Sequence, residues 1–295
     1  MPSSQHEQIV AMFSTRPISL DASIQDSRAA FEQMAFLFPL PADVRSEPVQ
    51  AGTARAEWVR VPESRADRTL LYLHGGGYML GSLNTHRELV ARIARSIGAS
   101  ALSVDYRLAP ENPFPAAVDD AVAAYRWLLA SGIAADSIVI AGDSAGGGLA
   151  LATLLALRDA GEPLPAACVC LSPWTDLDGT GESAQPGAVA DPMIDGKALR
   201  ATGQIYLGGA DARTPLGSPL YGDLAGLPPL LVLVGTREVL LDDSTRLAER
   251  ARAAGVEVEL EVWADLIHVW PIFPDLPESH DALARIAEFA QKQLG

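Results

Sequence analysis

The stretch Ser137-Ile-Val-Ile-Ala-Gly-Asp-Ser-Ala-Gly-Gly-Gly-Leu-Ala-Leu151 joins a short apolar run to a segment rich in glycine and alanine. The run 137–141 predicts a buried strand, and residues 145–160 predict a helix. The turn between them needs small residues, because the backbone at Ser144 is strained and its neighbours crowd the helix. A Gly-x-Ser-x-Gly turn in this setting is typical of a nucleophile elbow, with the positive end of the helix beside the serine. Ser144 is therefore the candidate nucleophile.

Strands and helices alternate along the rest of the chain. Strands are predicted at 68–73, 100–104, 137–141, 167–171, 230–234 and 256–262, and helices at 85–97, 115–130, 145–160, 242–254 and 279–293. Near-continuous apolar strands that alternate with helices are typical of an α/β fold. We therefore expect a mostly parallel central sheet with helices on both faces.

Two segments interrupt this alternation. The first fifty residues place apolar side chains at helical spacing, and the interval 176–228 is rich in Gly, Pro and Asp around a predicted helix at 196–207. We expect both segments to form a helical cap over the sheet. The predicted domain boundaries are 1–48 for the N-terminal part of the cap, 49–184 for the core, 185–215 for the cap insertion and 216–295 for the rest of the core.

Composition limits the partners. The 295 residues carry 22 Lys and Arg against 37 Asp and Glu, a formal charge of -15. That charge repels phosphate backbones and anionic lipid, so nucleic acid and acidic membrane surfaces are poor partners. With 48% hydrophobic and 20% charged residues, the chain is not a disordered protein.

Neither the cysteines nor the N-terminus indicates an exported or metal-binding protein. Cys168 and Cys170 fall on the same face of a predicted strand. Their Cα atoms should be about 6.5–7 Å apart, at or beyond the limit for a disulfide. No histidine or second cysteine pair completes a zinc ligand set, so we expect two buried core residues and no metal. The N-terminus lacks a basic start and an apolar signal core, and no apolar run reaches membrane-spanning length. By default we expect a cytoplasmic location.

A second motif, His74-Gly-Gly-Gly77, ends the predicted strand 68–73. Three successive glycines leave backbone N–H groups free to converge on a developing oxyanion. The alternative is a plain glycine-rich turn. The two motifs are complementary: the nucleophile elbow supplies the serine that attacks, and the glycine turn supplies N–H groups that stabilise the oxyanion formed by that attack. Asp143, inside the elbow, is expected to brace it by hydrogen bonds.

The general base follows by elimination among five histidines. His6 lies in the predicted cap, His74 belongs to the glycine turn, His86 starts a helix, and His280 lies in the last helix. His268 is in the loop after the last predicted strand. Where an elbow supplies the serine, an acid and then a histidine follow it along the chain. His268 is therefore the candidate base.

The triad acid should follow the predicted strand 230–234, and three carboxylates compete there. Glu238 is nearest the strand end, where a carboxylate can hold the histidine tautomer and stabilise the imidazolium. Asp242 and Asp243 directly precede a predicted helix, so an N-cap role is the alternative for either. We favour Glu238, with Asp242 as the main rival.

The motifs together resemble those of bacterial hormone-sensitive-lipase-like carboxylesterases, an α/β-hydrolase family. The resemblance begins near residue 68 and runs to the C-terminus. It rests on His74-Gly-Gly-Gly-Tyr78, Asp105-Tyr-Arg-Leu-Ala-Pro-Glu111, Phe114-Pro-Ala-Ala-Val-Asp-Asp120, Gly142-Asp-Ser-Ala-Gly-Gly147, Ser172-Pro-Trp-Thr-Asp-Leu177, Ser218-Pro-Leu220 and Gly226-Leu-Pro-Pro229. It implies an α/β-hydrolase fold with a helical cap.

The resemblance also implies the roles of individual residues. Ser144 would be the nucleophile and His268 the base, and an oxyanion hole would be formed by the backbone N–H groups of Gly76, Gly77 and Ala145. The acid motif of the family usually reads Asp-Pro-Leu-x-Asp-Glu, whereas this chain has Glu-Val-Leu-Leu-Asp-Asp in the same place. Glutamate is one methylene longer than aspartate and can still accept from an imidazole. The segment Asp191-Pro-Met-Ile194 resembles the point where the chain enters the family's lid.

The expected activity is that of a serine carboxylesterase acting on short-chain acyl esters through an acyl-enzyme intermediate. The triad would be Ser144, His268 and Glu238, with no metal or organic cofactor. The alternatives are a catalytically silent ligand-binding protein of the same fold, and an amidase or lactonase that uses the same triad. Members of the family often pair through the edge strand, here 256–262. A homodimer of this kind would have to accommodate the glutamates that alternate along that strand.

Overall fold

The computed structural model describes residues 2–15 and 23–295. Within these ranges the strands are β1 Arg45–Ala51, β2 Ala54–Arg60, β3 Thr69–Leu73, β4 Ser100–Asp105, β5 Ile138–Asp143, β6 Ala167–Leu171, β7 Leu230–Gly235 and β8 Val258–Trp263. The α-helices of the same ranges are α1 Ser4–Thr15, α2 Ile24–Met34, α3 Leu83–Ile97, α4 Ala116–Ala130, α5 Ala145–Asp159, α6 Gly196–Leu207, α7 Leu241–Ala253 and α8 Pro277–Leu294. Met1 and residues 16–22, which belong to the predicted cap segment 1–48, lie outside the described residues.

The strands form one mixed sheet in the order β1-β2-β4-β3-β5-β6-β7-β8. The β1–β2 and β2–β4 pairs are antiparallel, and each remaining pair is parallel. The predicted parallel sheet is confirmed. The antiparallel hairpin of β1 and β2 was not predicted, because β1 is an edge strand with mostly exposed side chains, so it has no apolar run.

Successive side chains of the central strands enter two separate hydrophobic layers. Leu71 and Leu73 of β3 pack with α4, α5 and α7 on one face. Leu70 and Tyr72 pack with α3 and α8 on the other. Because strand side chains alternate between faces, a strand buried on both sides needs apolar residues at every position, as the sequence of β3 provides. The predicted helices on both faces of the sheet are confirmed.

The parallel strands bring the predicted catalytic loops to one edge of the sheet. Leu73 at the end of β3 lies beside Gly142 of β5, and Gly235 at the end of β7 lies beside Trp263 of β8. The carboxyl ends of parallel strands share an edge, which is where open α/β sheets bind ligands. The glycine turn, the elbow, the acid segment and the histidine loop all follow these four strand ends.

The two predicted cap segments both contact the loop after β3. In α2, the guanidinium of Arg28 donates to the carbonyls of Met79 and Ala109 at 2.8 Å and forms a bidentate pair with Glu111. In the insertion, residues 196–207 form α6 as predicted, and the ring of Tyr206 stacks on that of Tyr78 with centroids 3.7 Å apart. Strand β1 starts at residue 45, so the last four residues of the segment 1–48 belong to the sheet.

The two cysteines lie side by side in β6. Both are fully buried and free, with their Sγ atoms 3.6 Å apart. They are core residues, as predicted. Over residues 2–15 and 23–295, no helix combines the length and apolarity needed to cross a membrane.

Candidate active site

Ser144 occupies the sharp turn between β5 and α5. Its φ of 53° and ψ of -122° are strained for a residue with a Cβ. Hydrogen bonds hold this geometry: the N–H of Ser144 donates to the carbonyl of Leu171 at 2.8 Å, and its carbonyl accepts from the N–H groups of Gly147 and Trp174 at 3.0 and 2.9 Å. The side chain stands at the N-terminus of α5, in the geometry of a nucleophile elbow.

The glycines of the motif are required by close backbone contacts. A Cβ on Gly142 would lie 2.3 Å from the carbonyl oxygen of Gly146, and one on Gly146 would lie 2.0 Å from the carbonyl oxygen of Leu73. Both distances are far below any real contact of a Cβ atom. The elbow is therefore packed directly against the end of β3, where the glycine turn begins.

The glycine turn presents unpaired backbone donors beside the elbow. Gly76 and Gly77 have φ values of 112° and 63°, a region that favours glycine. The carbonyl of Gly76 accepts from the N–H of Leu80 at 2.8 Å. Within the described ranges, no carbonyl or side chain accepts from the N–H of Gly76 or Gly77. Ala145 is the first residue of α5, so its N–H has no partner within the helix.

His268 and Glu238 form a buried pair at the same edge. Nδ1 of His268 donates to Oε2 of Glu238 at 2.9 Å. The other oxygen of Glu238 accepts from the hydroxyl of Ser172 at 2.8 Å and from the N–H of Gly235 at 2.6 Å. The hydroxyl of Ser172 also accepts from the N–H of Val269 at 3.1 Å. This leaves Nε2 as the imidazole nitrogen available to a nucleophile.

The charges around His268 favour its protonated form. Burial alone would lower the pKa of His268, but the hydrogen bond and the charge of Glu238, helped by Asp191 and Asp143, raise it above 6.5. Burial raises the pKa of Glu238 above 4.5, although its hydrogen bonds to His268, Gly235 and Ser172 oppose that rise. An imidazole whose pKa is raised by its own carboxylate partner is suited to accept a proton during a reaction.

The two rival carboxylates serve as anchors for neighbouring loops. Asp242 accepts from the N–H of Ser183 at 2.9 Å. Asp243 accepts from the N–H groups of Thr175 and Asp176 at 2.6 and 2.8 Å, and burial raises its pKa to about 7. Neither caps α7, whose N-cap position is occupied by a leucine without a side-chain cap. The N-cap alternative for these two residues is therefore wrong.

The other four histidines have different surroundings. His6 is fully buried in α1, and His280 is paired with a loop carbonyl. His74 donates to the carbonyl of the next residue at 2.7 Å. His86 is buried in the first turn of α3, and its Nε2 lies 3.3 Å from a carboxylate oxygen of Asp143. Of the five histidines, His268 is the one paired with a carboxylate of the acid segment.

Three contacts around the site were not predicted from the sequence. Ser172 links Glu238 to the histidine loop, and the family motif that contains Ser172 was the only signal for it. Asp191 accepts from the N–H of Val239 at 3.0 Å, so the start of the insertion is tied to the acid segment. The pair of His86 with the elbow joins side chains 57 positions apart, and no local pattern marks it.

A mostly parallel sheet with a nucleophile elbow between strand and helix defines the class of α/β-hydrolases. The sequence family described as alpha/beta hydrolase fold matches residues 70–272. An acetyl-hydrolase of Streptomyces hygroscopicus is 49% identical over 256 residues, which cover 86% of this chain and 84% of that protein. The crystal structure of an esterase from the bacterial hormone-sensitive lipase family has a TM-score of 0.96 at 50% identity, with 100% of both chains covered. EstE5, in a crystal soaked by p-nitrophenyl butyrate, has a TM-score of 0.94 at 45% identity, with 99% of both chains covered.

This chain belongs to the alpha/beta hydrolase family, and within it to the hormone-sensitive-lipase-like esterases of bacteria. It is a carboxylic ester hydrolase. The predicted family, fold and enzyme class are confirmed.

Proposed function

We propose that the chain is a serine carboxylesterase that hydrolyses short-chain acyl esters through an acyl-enzyme intermediate. The observation that carries the proposal is the 2.9 Å hydrogen bond from His268 to Glu238, at the sheet edge where the elbow holds Ser144. A buried carboxylate that accepts from Nδ1–H leaves Nε2 unprotonated, so Nε2 can act as a base. The elbow exposes the serine hydroxyl whose proton this base would take.

In the proposed acylation, Ser144 Oγ attacks the ester carbonyl while Nε2 of His268 takes the hydroxyl proton. Glu238 accepts from Nδ1–H throughout, so it holds the tautomer and stabilises the imidazolium. The tetrahedral intermediate collapses when Nε2–H is given to the leaving alcohol. The products of this half are the free alcohol and an acyl-serine.

Deacylation repeats these steps with water in place of the serine. Nε2 of His268 takes a proton from the water as its oxygen attacks the acyl carbon. The second tetrahedral intermediate releases Ser144, which recovers the proton from the imidazolium, and a carboxylic acid leaves. The enzyme returns to its starting state with one ester bond and one water consumed.

We assign the oxyanion hole to the N–H groups of Gly76, Gly77 and Ala145. Their lack of partners in the described part of the chain supports this assignment, since a developing oxyanion would supply the missing acceptor. Each such donor is worth on the order of 10²- to 10³-fold in kcat. No cofactor is required by this chemistry.

The short-chain preference is supported by the packing of the insertion on the glycine turn. A Cβ on Gly77 would lie 3.1 Å from Cγ2 of Thr202 in α6, so the insertion reaches the oxyanion donors. Arg28 ties α2 to the carbonyl of Met79, two residues after this turn, and Ser144 is only 8% exposed. We propose that residues 2–15 and 23–44 form, with residues 185–215, a cap that limits the acyl chain. The acetyl-hydrolase name of the Streptomyces relative agrees with a small acyl group.

The function is tested with p-nitrophenyl esters whose acyl chains have two to sixteen carbons. We expect the highest kcat/KM with the shortest chains and a steep fall as the chain outgrows the capped pocket. A maximum at long chains would contradict the proposed pocket. Absence of hydrolysis at every length, by protein whose fold is verified by circular dichroism, would instead favour the silent ligand-binding or the amidase and lactonase alternatives.

The pH dependence of kcat/KM should report His268. Protonated His268 cannot accept the proton of Ser144, so the rate with p-nitrophenyl acetate should fall on the acid side with an apparent pKa above 6.5. In Glu238→Gln the carboxylate that raises this pKa is absent, so the acid limb should move to lower pH. The measurement is kcat/KM from pH 5 to 8 for both proteins, with the weakly active variant at a concentration that raises its rate above the spontaneous hydrolysis of the ester. Identical acid limbs would mean that Glu238 does not act on the titrating group.

We infer that a homodimer through β8 remains compatible with the charges on that edge. Glu259 and Glu261 pair with Arg285 of α8, and Glu257 pairs with Lys292, so all three carboxylates already have cations in their own chain. Dimerisation and the cytoplasmic location stay predictions.

A further inference from the structure

A buried polar cluster lies directly behind the elbow. Asp143, the residue before the nucleophile, is 3% exposed. Its Oδ1 accepts from the hydroxyl of Tyr72 at 2.7 Å and from the N–H of Gly75 at 3.0 Å, and its Oδ2 lies 3.3 Å from Nε2 of His86. One carboxylate therefore connects β5, β3, the glycine turn and α3.

The carboxylate of Asp143 assigns a proton to Nε2 of His86, whichever acceptor the hydroxyl of Thr85 uses. The hydroxyl of Thr85 accepts from the N–H of Ser82 at 2.9 Å, and its own proton goes either to the carbonyl of Ser82 or to Nδ1 of His86. When the hydroxyl of Thr85 donates to Ser82, Nδ1 of His86 must be protonated and donate to that hydroxyl. When the hydroxyl donates to His86, Nδ1 is unprotonated and accepts. Nε2–H points at the carboxylate in both cases, because an unprotonated Nε2 would face the negative oxygen.

Three donors therefore converge on the carboxylate of Asp143. Burial alone would raise its pKa, but the charge and hydrogen bond of His86 and the hydroxyl of Tyr72 outweigh burial and lower the pKa below 3.8. The group is a buried anion with a full set of donors, the condition under which a buried charge is tolerated.

Contact between this carboxylate and the glycine turn is tight. A Cβ on Gly75 would lie 2.1 Å from Oδ2 of Asp143, so the turn and the carboxylate share almost no free space. The next residues of the turn, Gly76 and Gly77, are the ones whose N–H groups are unpaired within the described ranges. Any displacement of Asp143 must therefore displace the donors that follow Gly75.

We propose that Asp143 is a positioning residue for the oxyanion hole: its carboxylate holds Gly75, and Tyr72 and His86 hold the carboxylate. This inference rests on the proposed function, because it takes Gly76 and Gly77 as oxyanion donors. Asp143 is buried behind the elbow and does not touch substrate. It acts through the turn, and it fixes the distance between the nucleophile and the donors because it belongs to the same strand end as Ser144.

The first experiment compares Asp143→Ala with Asp143→Asn. Alanine leaves the N–H of Gly75 without an acceptor, so we expect kcat with p-nitrophenyl acetate to fall about 10²-fold while KM changes by less than about threefold. Asparagine keeps an amide oxygen for Gly75 and Tyr72, and its NH2 can donate to Nε2 of a His86 that is protonated on Nδ1 and donates to the hydroxyl of Thr85. It should therefore recover most of the loss and stay within about tenfold of the wild type. Methyl trifluoromethyl ketone, to whose carbonyl Ser144 Oγ would add to give a hemiketal oxyanion while His268 takes the serine proton, should lose affinity in parallel with kcat.

The second experiment measures the turn without using activity. Amide hydrogen exchange by mass spectrometry should show faster exchange in residues 74–80 of Asp143→Ala, and near-normal exchange in Asp143→Asn. Tyr72→Phe removes one of the three donors without changing the packed volume, so it should show a smaller effect in the same direction. If the alanine variant does not fold, Tyr72→Phe decides the matter, because unchanged exchange in residues 74–80 of that variant would overturn the proposal.

Asp176→Ala is the matched control for Asp143→Ala, and Asp176→Asn is the matched control for Asp143→Asn. Asp176 is an equally buried carboxylate, bound by Arg246, Tyr221 and Thr180, away from the glycine turn. Its substitution should lower the melting temperature without changing exchange in residues 74–80 or the affinity for the ketone. The proposal is overturned if Asp143→Ala keeps kcat within twofold, or if its turn exchanges no faster than that of the control. If the wild-type protein hydrolyses no ester, the proposed function fails, whereas the exchange data still decide whether Asp143 holds the turn.

Discussion

Replacing Ser144 by alanine should abolish hydrolysis of short-chain p-nitrophenyl esters, with kcat lower by on the order of 10⁶-fold. The proposed mechanism loses its nucleophile, and the oxyanion donors alone cannot form an acyl-enzyme. The residual rate should show no burst of p-nitrophenol, because no covalent intermediate accumulates. The measurement is stopped-flow release of p-nitrophenol by the wild type and the variant at equal concentration.

The structure also predicts that this substitution leaves the fold intact. The contacts that hold the elbow at Ser144 are made by its backbone N–H and carbonyl, and alanine keeps both. Alanine also has the same Cβ, so the strain at φ 53° is unchanged. The free energy of unfolding should change by less than about 1 kcal/mol. A variant that stays folded and retains more than a tenth of the wild-type kcat would show that another residue is the nucleophile.

The central fold was predictable because the inner strands have a strong local signal. Strand β6 was predicted at the residues where it occurs, 167–171, and β3 and β7 to within one residue, since each is apolar throughout and buried on both faces. Strands β1 and β2 were missed for the opposite reason. They lie at the antiparallel edge, where charged residues face solvent and the apolar pattern is diluted.

The three triad candidates could be predicted because each is marked by its own position in the sequence. Ser144 lies in a motif, His268 was left after elimination, and Glu238 is the first carboxylate after its strand. The contacts around these residues were not predictable. The bonds of Ser172 to Glu238 and of Asp143 to His86 depend on how separate loops and helices pack, and neither involves a recurring spacing in sequence.

Alanine substitutions at Glu238 and Asp242 should have very different effects on kcat/KM. Glu238→Ala should lower kcat/KM about 10⁴-fold, because His268 loses the acceptor that fixes its tautomer and stabilises its imidazolium. Asp242→Ala removes an acceptor from the N–H of Ser183 and leaves the bond between His268 and Glu238 in place, so it should lower kcat/KM less than tenfold. The measurement is kcat/KM with p-nitrophenyl acetate for both variants at pH 8.

Stability must be measured beside activity, because both carboxylates are also structural acceptors. Glu238→Ala leaves the hydroxyl of Ser172 and the N–H of Gly235 without their partner, which costs about 1–3 kcal/mol for each buried donor. Glu238→Gln keeps the volume of the side chain but has a single oxygen, whereas Ser172 and Gly235 use one oxygen of Glu238 and His268 uses the other. When the amide oxygen binds Ser172 and Gly235, His268 has no acceptor to orient it. We therefore expect the glutamine variant to be more stable than the alanine variant and nearly as inactive. If Asp242→Ala were as inactive as Glu238→Ala while folded, Asp242 would have to be the triad acid, and the 2.9 Å bond between His268 and Glu238 would be a structural contact only.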